Sequence, residues 1–166
     1  MTSLRSDGRR FRVRAAGVAI RDGRVLVQRS VPGSAWMDSL LPGGGVEVGE
    51  ASDAAVVREF SEEIGADVRT GRLLYCAEIF FRHEGADCHE IAFFWEVLLP
   101  VDFPYSAGDT FLGHDQADGR GIPSVWHWCP LEGLGEIDLL PRFLIEGLRN
   151  LPATPRFFVD ADVGGT

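Results

Sequence analysis

The chain has 166 residues and a formal net charge of -9, and it is 45% hydrophobic and 25% charged. That composition is typical of a globular protein, and the length favours one domain with a single core. All 16 basic residues are arginine, which excludes a lysine nucleophile or Schiff base. The acidic balance argues against a broad nucleic-acid-binding surface, which needs a basic patch. A nucleotide ligand remains compatible, because a bound metal ion reverses the local sign of charge.

The cysteines are sparse, odd in number and without the spacing of metal ligands: Cys76, Cys88 and Cys129. Such usage indicates buried thiols in a reducing compartment, so we expect a cytoplasmic protein. No apolar run approaches the length of a transmembrane helix. The arginine-bearing N-terminus has no apolar segment behind it, so we expect neither a signal peptide nor a membrane partner.

The first third of the chain predicts a β-hairpin. Residues 1–9 are polar and expected to be loose. Residues 11–20 change from alternating to continuously apolar, which predicts a strand that becomes buried, and Arg24–Arg29 predicts the return strand. Asp22-Gly23 between them is a strong turn signal. Arg29 is either a solvated strand end or a guanidinium that binds a substrate phosphate, and both interpretations stay open.

A glycine-rich loop and a helix follow. The three glycines of Gly43–Gly45 permit positive φ and let a ligand approach the backbone closely. Residues 51–63 contain no Gly or Pro and are rich in helix formers, which predicts a helix that stops at Gly65. At about 100° per residue, one apolar stripe should face the core. Its members are Val57, Phe60 and Ile64.

The same helix carries three carboxylates on one expected face: Glu59, Glu62 and Glu63. Like charges at these spacings repel by roughly 0.2–0.5 kcal/mol per pair. They also lie near the helix C-terminus, where the macrodipole disfavours anions. A hard divalent cation would remove both penalties, since Mg²⁺ prefers oxygen ligands. On these grounds alone, a metal site and a solvated acidic face are about equally supported.

The second half predicts more strands than helices. Residues 72–81 and 88–99 predict two strands, and the second begins with the pair His89 and Glu90. That pair suggests catalysis, but a hydrogen bond at a strand edge is the commoner role. Residues 100–123 form a long stretch without periodicity, which predicts a loop, and long loops are often functional.

The C-terminal part predicts a strand over residues 124–129, a turn or short helix over 131–138 and a helix over 141–150. Residues 151–166 read as a tail whose Arg156 to Val159 segment packs on the domain or on a second subunit. Strands and helices do not alternate as a doubly wound fold requires. We therefore expect an α/β protein with a mixed sheet and helices on both sides.

The stretch from residue 44 to residue 66 resembles the motif of the Nudix hydrolases. The matching positions are Gly44, Glu50, Arg58, Glu59, Phe60, Glu62, Glu63 and Gly65; Ala66 stands where a larger aliphatic residue is usual. The resemblance implies one α/β/α sandwich domain over residues 1–166, with its core at about 10–150.

The resemblance also implies roles for the residues. Glu59, Glu62 and Glu63 would ligate Mg²⁺ or Mn²⁺ with the carbonyl of Gly43, and Glu59 would also act on the attacking water. Arg58 and Glu50 would lock the loop to the helix through an ion pair. The substrate would contact Arg29 and Gly43–Gly45. Either Asp115 or Asp118 would supply one more carboxylate.

The implied reaction is metal-dependent hydrolysis of the pyrophosphate bond in a nucleoside diphosphate linked to another moiety. The alternative is a non-catalytic nucleotide-binding domain that acts as a sensor. Two subgroup markers, a proline and a tyrosine, are both absent from residues 78–82, so neither ADP-ribose nor a dinucleoside polyphosphate is singled out. We expect a small-molecule partner and no nucleic acid, with a homodimer as one option for assembly.

Overall fold

The computed structural model describes residues 3–6, 8–29, 39–83, 85–115 and 122–161. Within these ranges the strands are β1 (Ser3–Ser6), β2 (Arg9–Arg21), β3 (Arg24–Arg29), β4 (Ser39–Leu40), β5 (Gly43–Gly45), β6 (Arg69–His83), β7 (Ala86–Leu98), β8 (Thr110–Asp115), β9 (Ile122–Pro130) and β10 (Arg156–Ala161). The helical elements are α1 (Ser52–Glu59), a π-helical turn (Phe60–Ile64), a 3-10 helix (Leu131–Glu136) and α2 (Leu144–Gly147). None of the described helices is long and apolar enough to cross a membrane.

The strands form one mixed sheet in the order β10-β6-β7-β2-β3-β9-β8. The pairs β2–β7 and β6–β10 are parallel, whereas β2–β3, β6–β7, β3–β9 and β8–β9 are antiparallel. On its other side β2 also pairs with β1 and with β5. The long strand β2 is therefore the element to which the glycine-rich loop is attached.

The hairpin of β2 and β3 forms where the turn signal predicts it. Asp22 has φ 50° and Gly23 has φ 70°, the two positive values that a type I′ turn needs. Arg21 pairs with Arg24 directly beside this turn, and Ile20 pairs with Val25 next to them. The prediction of Arg24–Arg29 as a strand is confirmed without change.

Helical elements cover both faces of the sheet. On one face Ala15 and Ala19 of β2 pack with Val56 and Phe60. On the other face Ala16 and Val18 pack with residues of the 3-10 helix and α2, namely Leu134, Leu144 and Leu148. The two apolar faces of β2 explain its continuous run of small and branched residues. The prediction of an α/β/α sandwich with a mixed sheet is confirmed.

Residues 3–6 and 110–115, which the sequence predicts as irregular, are strands. Residues 3–6, expected to be loose, pair with β2 as β1. β8 lies within the predicted loop 100–123 and pairs with β9, Leu112 lying opposite Val125. Phe111 and Leu112 are adjacent and both apolar, yet Phe111 is half-buried and Leu112 is 69% exposed. The sequence of β8 therefore does not alternate between apolar and polar residues. Pairing across the sheet, and not local pattern, makes both of these strands.

The C-terminal tail packs on the domain itself, because β10 lies parallel to β6 with Phe157 opposite Cys76. The helix predicted over residues 141–150 is much shorter, since α2 covers only Leu144–Gly147. The carbonyl of Gly147 accepts a hydrogen bond from the Tyr75 hydroxyl (2.8 Å) near the end of α2. The expected core contacts of this segment are nevertheless present, because Leu144 and Leu148 are fully buried.

We predict that Gly17→Ala destabilises the fold by about 1–3 kcal/mol through overpacking. A Cβ on Gly17 would lie 2.5 Å from the Phe60 ring and 2.6 Å from Val97, both inside the core beneath α1. Urea unfolding measures the change. Gly108→Ala is the matched control, since a Cβ there meets nothing within 4 Å. Equal stabilities of the two variants would contradict the close packing of α1 on β2.

Candidate active site

The predicted helix over residues 51–63 is not regular throughout. α1 begins at Ser52 and ends at Glu59, and a π-helical turn follows from Phe60 to Ile64. The segment ends at Gly65, whose left-handed φ of 72° confirms the predicted stop. The Ala66 N–H donates to the Phe60 carbonyl (3.3 Å) and closes this end. Single π turns inside helices are frequent at functional sites.

The π turn changes which side chains face inward. Ala55 and Val56 are fully buried on α1, whereas the predicted core residue Val57 is only partly buried, so that part of the predicted stripe is wrong. Phe60 and Ile64 are buried as predicted. The wider turn also affects the carboxylates, because a residue after it no longer lies at about 100° per position from Glu59.

The three carboxylates consequently differ in exposure. The Glu62 side chain is 40% exposed and that of Glu59 is 12% exposed, while Glu63 as a residue is only 6% exposed. A solvated acidic face would leave all three in water. Burial of two of them argues against that interpretation, because a buried charge costs free energy unless it is paired or binds a metal.

The glycine-rich loop lies directly against these carboxylates. β5 pairs with residues 14–16 of β2, and Gly43 adopts φ 143°, where a Cβ would lie 2.2 Å from the carbonyl oxygen of Ala15. A Cβ on Gly44 would lie 2.2 Å from Glu59 Oε1. The Gly43 N–H donates to Glu63 Oε2 at 3.3 Å. Glycine is therefore required at both positions for the loop to approach β2 and the helix.

Arg58 joins the loop to the helix with its whole guanidinium group. Its Nε and Nη2 donate to the two oxygens of Glu50 at 2.9 and 3.0 Å, and Nη2 also donates to the carbonyl of Gly45 at 2.9 Å. Its Nη1 donates to Glu59 at 2.8 Å and to Glu62 at 3.3 Å. The structure thus contains the Arg58–Glu50 pair that the motif implies, and the same arginine also contacts two of the three carboxylates.

The pKa directions follow from these contacts. The hydrogen bonds from Arg58 lower the pKa of Glu50, and the same pairing raises the pKa of Arg58 above its ordinary value. Burial raises the pKa of Glu59, although Arg58 and Arg14 oppose this. Glu59 is thus a carboxylate that binds a proton more readily than an exposed glutamate does.

The donor atoms at this site suit a hard divalent cation, because they are carboxylate and backbone carbonyl oxygens. As placed, the described residues contain no group of three or more His, Cys, Asp or Glu side chains that could hold a metal ion. The hydrogen bonds explain this, since Glu59 and Glu62 are turned toward Arg58 and Glu63 toward Gly43. The residues fit a cation by their chemistry and by their proximity to the glycine loop, and a bound cation would need these side chains to turn away from their present partners.

Other predicted site residues lie elsewhere or outside the described chain. Arg29 is exposed at the end of β3, where its backbone pairs with Ser39 and Val125. No hydrogen bond or ion pair among the described residues joins it to the three carboxylates of the helix. Asp115 ends β8, but its side chain is not among those described, and Asp118 lies outside the described residues.

The His89 and Glu90 pair of the sequence is divided between the two faces of β7. Glu90, 4% exposed, accepts from the Arg12 guanidinium on one face. On the other face His89 Nε2 lies 2.8 Å from Glu78 Oε1 and the ring stacks on Phe80. The two side chains cannot act together, which fits the prediction of a structural role for His89.

Sequence reasoning missed the arginines of β2 near the site. Arg14 Nη2 donates to the carbonyl of Leu41 at 3.0 Å, and its charge opposes the rise in pKa that burial causes at Glu59. Arg12 holds the buried Glu90. The alternation of arginines at residues 10, 12 and 14 was the available signal, because alternate residues of a strand share one face.

Solved structures of similar fold include the Escherichia coli ORF135 protein (21% identity, 86% of this chain and 91% of that chain covered, TM-score 0.53). The MutT protein of Bacillus halodurans matches at 14% identity with 89% of each chain covered and a TM-score of 0.59. An ADP-ribose pyrophosphatase of Streptococcus suis matches at 13% identity, with 90% and 98% covered and a TM-score of 0.50. At these low identities, the structural matches show a shared fold and nothing more. No curated protein sequence matches significantly.

The sequence profile described as NUDIX domain matches residues 11–148. That range runs from β2 to the end of α2 and contains the glycine loop, Arg58 and all three carboxylates. The chain therefore belongs to the Nudix family and is a Nudix-type hydrolase.

Proposed function

We propose that the protein hydrolyses the pyrophosphate bond of a nucleoside diphosphate linked to another moiety, with Mg²⁺ or Mn²⁺ as cofactor. The observation that carries this proposal is the burial of Glu59 and Glu63 against Gly43 and Gly44, with one arginine holding the loop to the helix. Such an arrangement concentrates negative charge at a place where that charge does not stabilise the fold. Residues that cost stability in this way are expected at functional sites.

Glu59, Glu62, Glu63 and the carbonyl of Gly43 would hold the cation. When bound, a divalent cation would neutralise negative charge on the pyrophosphate oxygens and lower the pKa of a water molecule bound to it. Arg58 and Glu50 keep the loop at a fixed distance from the helix through their paired hydrogen bonds. Because Gly43–Gly45 carry no side chains, a phosphate would be able to approach their backbone closely.

Glu59 would orient and deprotonate the attacking water. A general base works best when its pKa lies close to the operating pH, and burial moves the pKa of Glu59 upward in that direction. Arg58 Nη1 donates to Glu59 Oε1 at 2.8 Å and fixes the orientation of the carboxylate. The second oxygen of Glu59 would then face the water.

The substrate belongs to the nucleotide-linked diphosphates, which include nucleotides, nucleotide sugars and nucleoside triphosphates. Proteins of similar fold carry the names ADP-ribose pyrophosphatase and UDP-X diphosphatase, two activities of this class. A sensor without catalysis is the second candidate, but such a domain has no need for the buried carboxylates. The small-molecule partner, cytoplasmic location and a homodimer belong to this proposal, with free Cys76, Cys88 and Cys129 supporting a reducing compartment.

We predict that chelation abolishes turnover and that Mg²⁺ or Mn²⁺ restores it, because the carboxylates have oxygen donors suited to such ions. The cation should also raise the melting temperature, since a ligand present at 100 times its Kd stabilises by about 2.7 kcal/mol. A panel of nucleotides and nucleotide sugars, with products identified by mass, measures turnover, and thermal melts measure the shift.

Glu62→Gln is the control for this experiment, because it removes one oxygen charge and should reduce the thermal shift. Full activity after exhaustive chelation would overturn the metal requirement. Identical melting curves with and without millimolar metal would count against binding at the carboxylates.

We predict that Glu59→Gln raises the melting temperature of the metal-free protein at neutral pH. Burial raises the folded-state pKa of Glu59. The protonated Glu59 therefore contributes fully to the stability of the fold at acid pH, and this contribution is lost as the pH rises through the raised pKa. A neutral glutamine avoids this loss. Each kcal/mol gained corresponds to roughly 2–4 °C at this chain length.

Melts across the acid-to-neutral range, in chelator, should show the gap between parent and variant widening above the ordinary glutamate pKa. Glu62→Gln makes the same change of charge on a more exposed side chain and should change the melting temperature less. A lower melting temperature for Glu59→Gln at neutral pH would mean that the ion pair with Arg58 outweighs the cost of burial.

We predict that Glu59→Gln lowers kcat by roughly 10²–10⁴-fold, the contribution typical of general acid–base catalysis. Glu90→Gln should act mainly on KM and keep kcat within roughly tenfold, because Glu90 contacts Arg12 and lies outside the motif of residues 44–66. Both variants are assayed on one substrate with circular dichroism as the check on folding. A dead Glu90→Gln beside an active Glu59→Gln would assign the base to β7.

A further inference from the structure

The strand β10 lies at one edge of the sheet. It pairs in parallel with β6 from Arg156 to Ala161, and no second strand flanks it in the described part of the chain. The backbone N–H and C=O groups on its outer side therefore have no partner strand among the described residues. An open edge of this kind is a template for pairing with another strand.

The side chains of β10 do not protect this edge. Phe157 is 61% exposed and Val159 is 60% exposed, and both point to the same face because alternate residues of a strand share a face. The sequence of β10 contains neither proline nor lysine, two residues that commonly block pairing at an edge. An exposed apolar edge strand is expected to pair with another chain.

The other face of β10 is anchored in the domain. The ring of Phe158 stacks on that of Phe143, with centroids 4.4 Å apart and an interplanar angle of 8°, and lies 5.8 Å from the ring of Tyr75. These contacts hold β10 in one position beside β6. The strand is therefore already ordered for a partner, and a partner does not have to supply the cost of ordering it.

A second copy of the chain is the partner that β10 fits, because its sequence is self-complementary. A two-fold axis perpendicular to the sheet pairs two β10 strands antiparallel and keeps each face on its own side. When the axis passes beside Phe158, Arg156 of one copy lies opposite Asp160 of the other, at both ends of the contact. On the exposed face, Phe157 then lies opposite Val159 of the second copy.

The neighbouring registers of the same symmetry lack this match. A shift of the centre by one residue in either direction brings the phenyl ring of Phe158 opposite a charged side chain, Arg156 or Asp160. Residues that lie opposite each other in an antiparallel pair have Cα atoms about 4.5–5.5 Å apart, so their side chains meet. Opposite charges in these positions stabilise the pair. The register centred on Phe158 is therefore the one that the sequence of β10 favours.

We propose that two copies of this chain join through their β10 strands, antiparallel and centred on Phe158, into one continuous sheet. The backbones contribute roughly four to six hydrogen bonds, and the apolar pairs on the exposed face remove surface from water. The charge pairs at the two ends select a second copy over other exposed strands. This surface makes the homodimer of the proposed function specific, and it does not depend on the hydrolysis.

Both active sites stay open in this dimer. In the sheet order, β2 is three strand spacings from β10. Three spacings in each copy and one between the copies, at about 4.8 Å each, separate the two β2 strands by roughly 34 Å. The glycine loop and the carboxylates belong to β2 and α1, so the contact between copies does not include them.

Sedimentation equilibrium without substrate measures the dimerisation Kd of the parent and of charge variants. Arg156→Asp places two acidic side chains opposite each other at both ends of the contact, and Asp160→Arg places two basic ones there. Each variant should raise the Kd at least tenfold, with circular dichroism as the check on folding. A parent protein that is monomeric at millimolar concentration would overturn the proposal, as would two folded variants that dimerise like the parent.

Mixing the two single variants tests the register itself. One subunit then carries two acidic side chains at positions 156 and 160 and the other carries two basic ones, so both charge pairs are restored between unlike subunits. We expect a heterodimer with a Kd close to that of the parent. The chain with both Arg156→Asp and Asp160→Arg should also dimerise, because it exchanges the charges within each pair. Folded variants that fail to associate when mixed would show that this register is wrong.

Two further variants are matched controls, and a deletion on the apolar face keeps the test independent of the charges. Phe157→Ser should raise the Kd at least tenfold, whereas Leu112→Ser should not, since Leu112 is 69% exposed on β8 at the other edge of the sheet. Arg69→Asp makes the same change of net charge as Arg156→Asp on an exposed part of β6 that does not pair with β10. A dimer weakened equally by either control would have its interface on another surface, and the proposal would be wrong. Since no substrate is present, these results stand whether or not the protein hydrolyses a diphosphate.

Discussion

The candidate site depends on the hydrogen bonds of one guanidinium group. Arg58 contacts Glu50 and the Gly45 carbonyl on the loop, and Glu59 and Glu62 on the helix. These contacts offset the repulsion among carboxylates at the negative end of a helix, which otherwise would favour their separation. All of these contacts except the one with Glu62 are partly buried, so solvent screens them less than it screens a surface pair. Loop and helix keep one geometry as long as this group is in place.

The features that the sequence predicted correctly are those that depend on local rules. The motif, the turn at Asp22-Gly23 and the helix stop at Gly65 each depend on the preferences of a few adjacent residues. The predicted apolar stripe of the helix is wrong at Val57, because the prediction assumed a constant angle of about 100° per residue. The π turn at Phe60–Ile64 does not have that angle, and Glu63 is buried within it. No periodicity in the sequence predicts this burial.

Long-range pairing accounts for most of what the sequence did not predict. β8 and β1 are strands because β9 and β2 offer them backbone partners, and neither segment has an alternating pattern of its own. The arginines of β2 were visible in the sequence, yet their meaning required the register with β7, which identifies Glu90 as the neighbour of Arg12. A pattern shows which residues share a face, whereas only the paired strand shows what that face contains.

β2 connects the parts of the site because its two faces differ. One face carries Ala15, Gly17 and Ala19, which are small enough for Phe60 of the π turn to pack closely. The other face carries Arg10, Arg12 and Arg14, and the backbone edge between the two faces pairs with the glycine loop. A shift of one residue in the β2–β7 register would exchange these faces and bring arginine beneath the helix. The uninterrupted register from Arg9 to Ala19 is thus a condition for the fold and for the site together, since both depend on the same alternation.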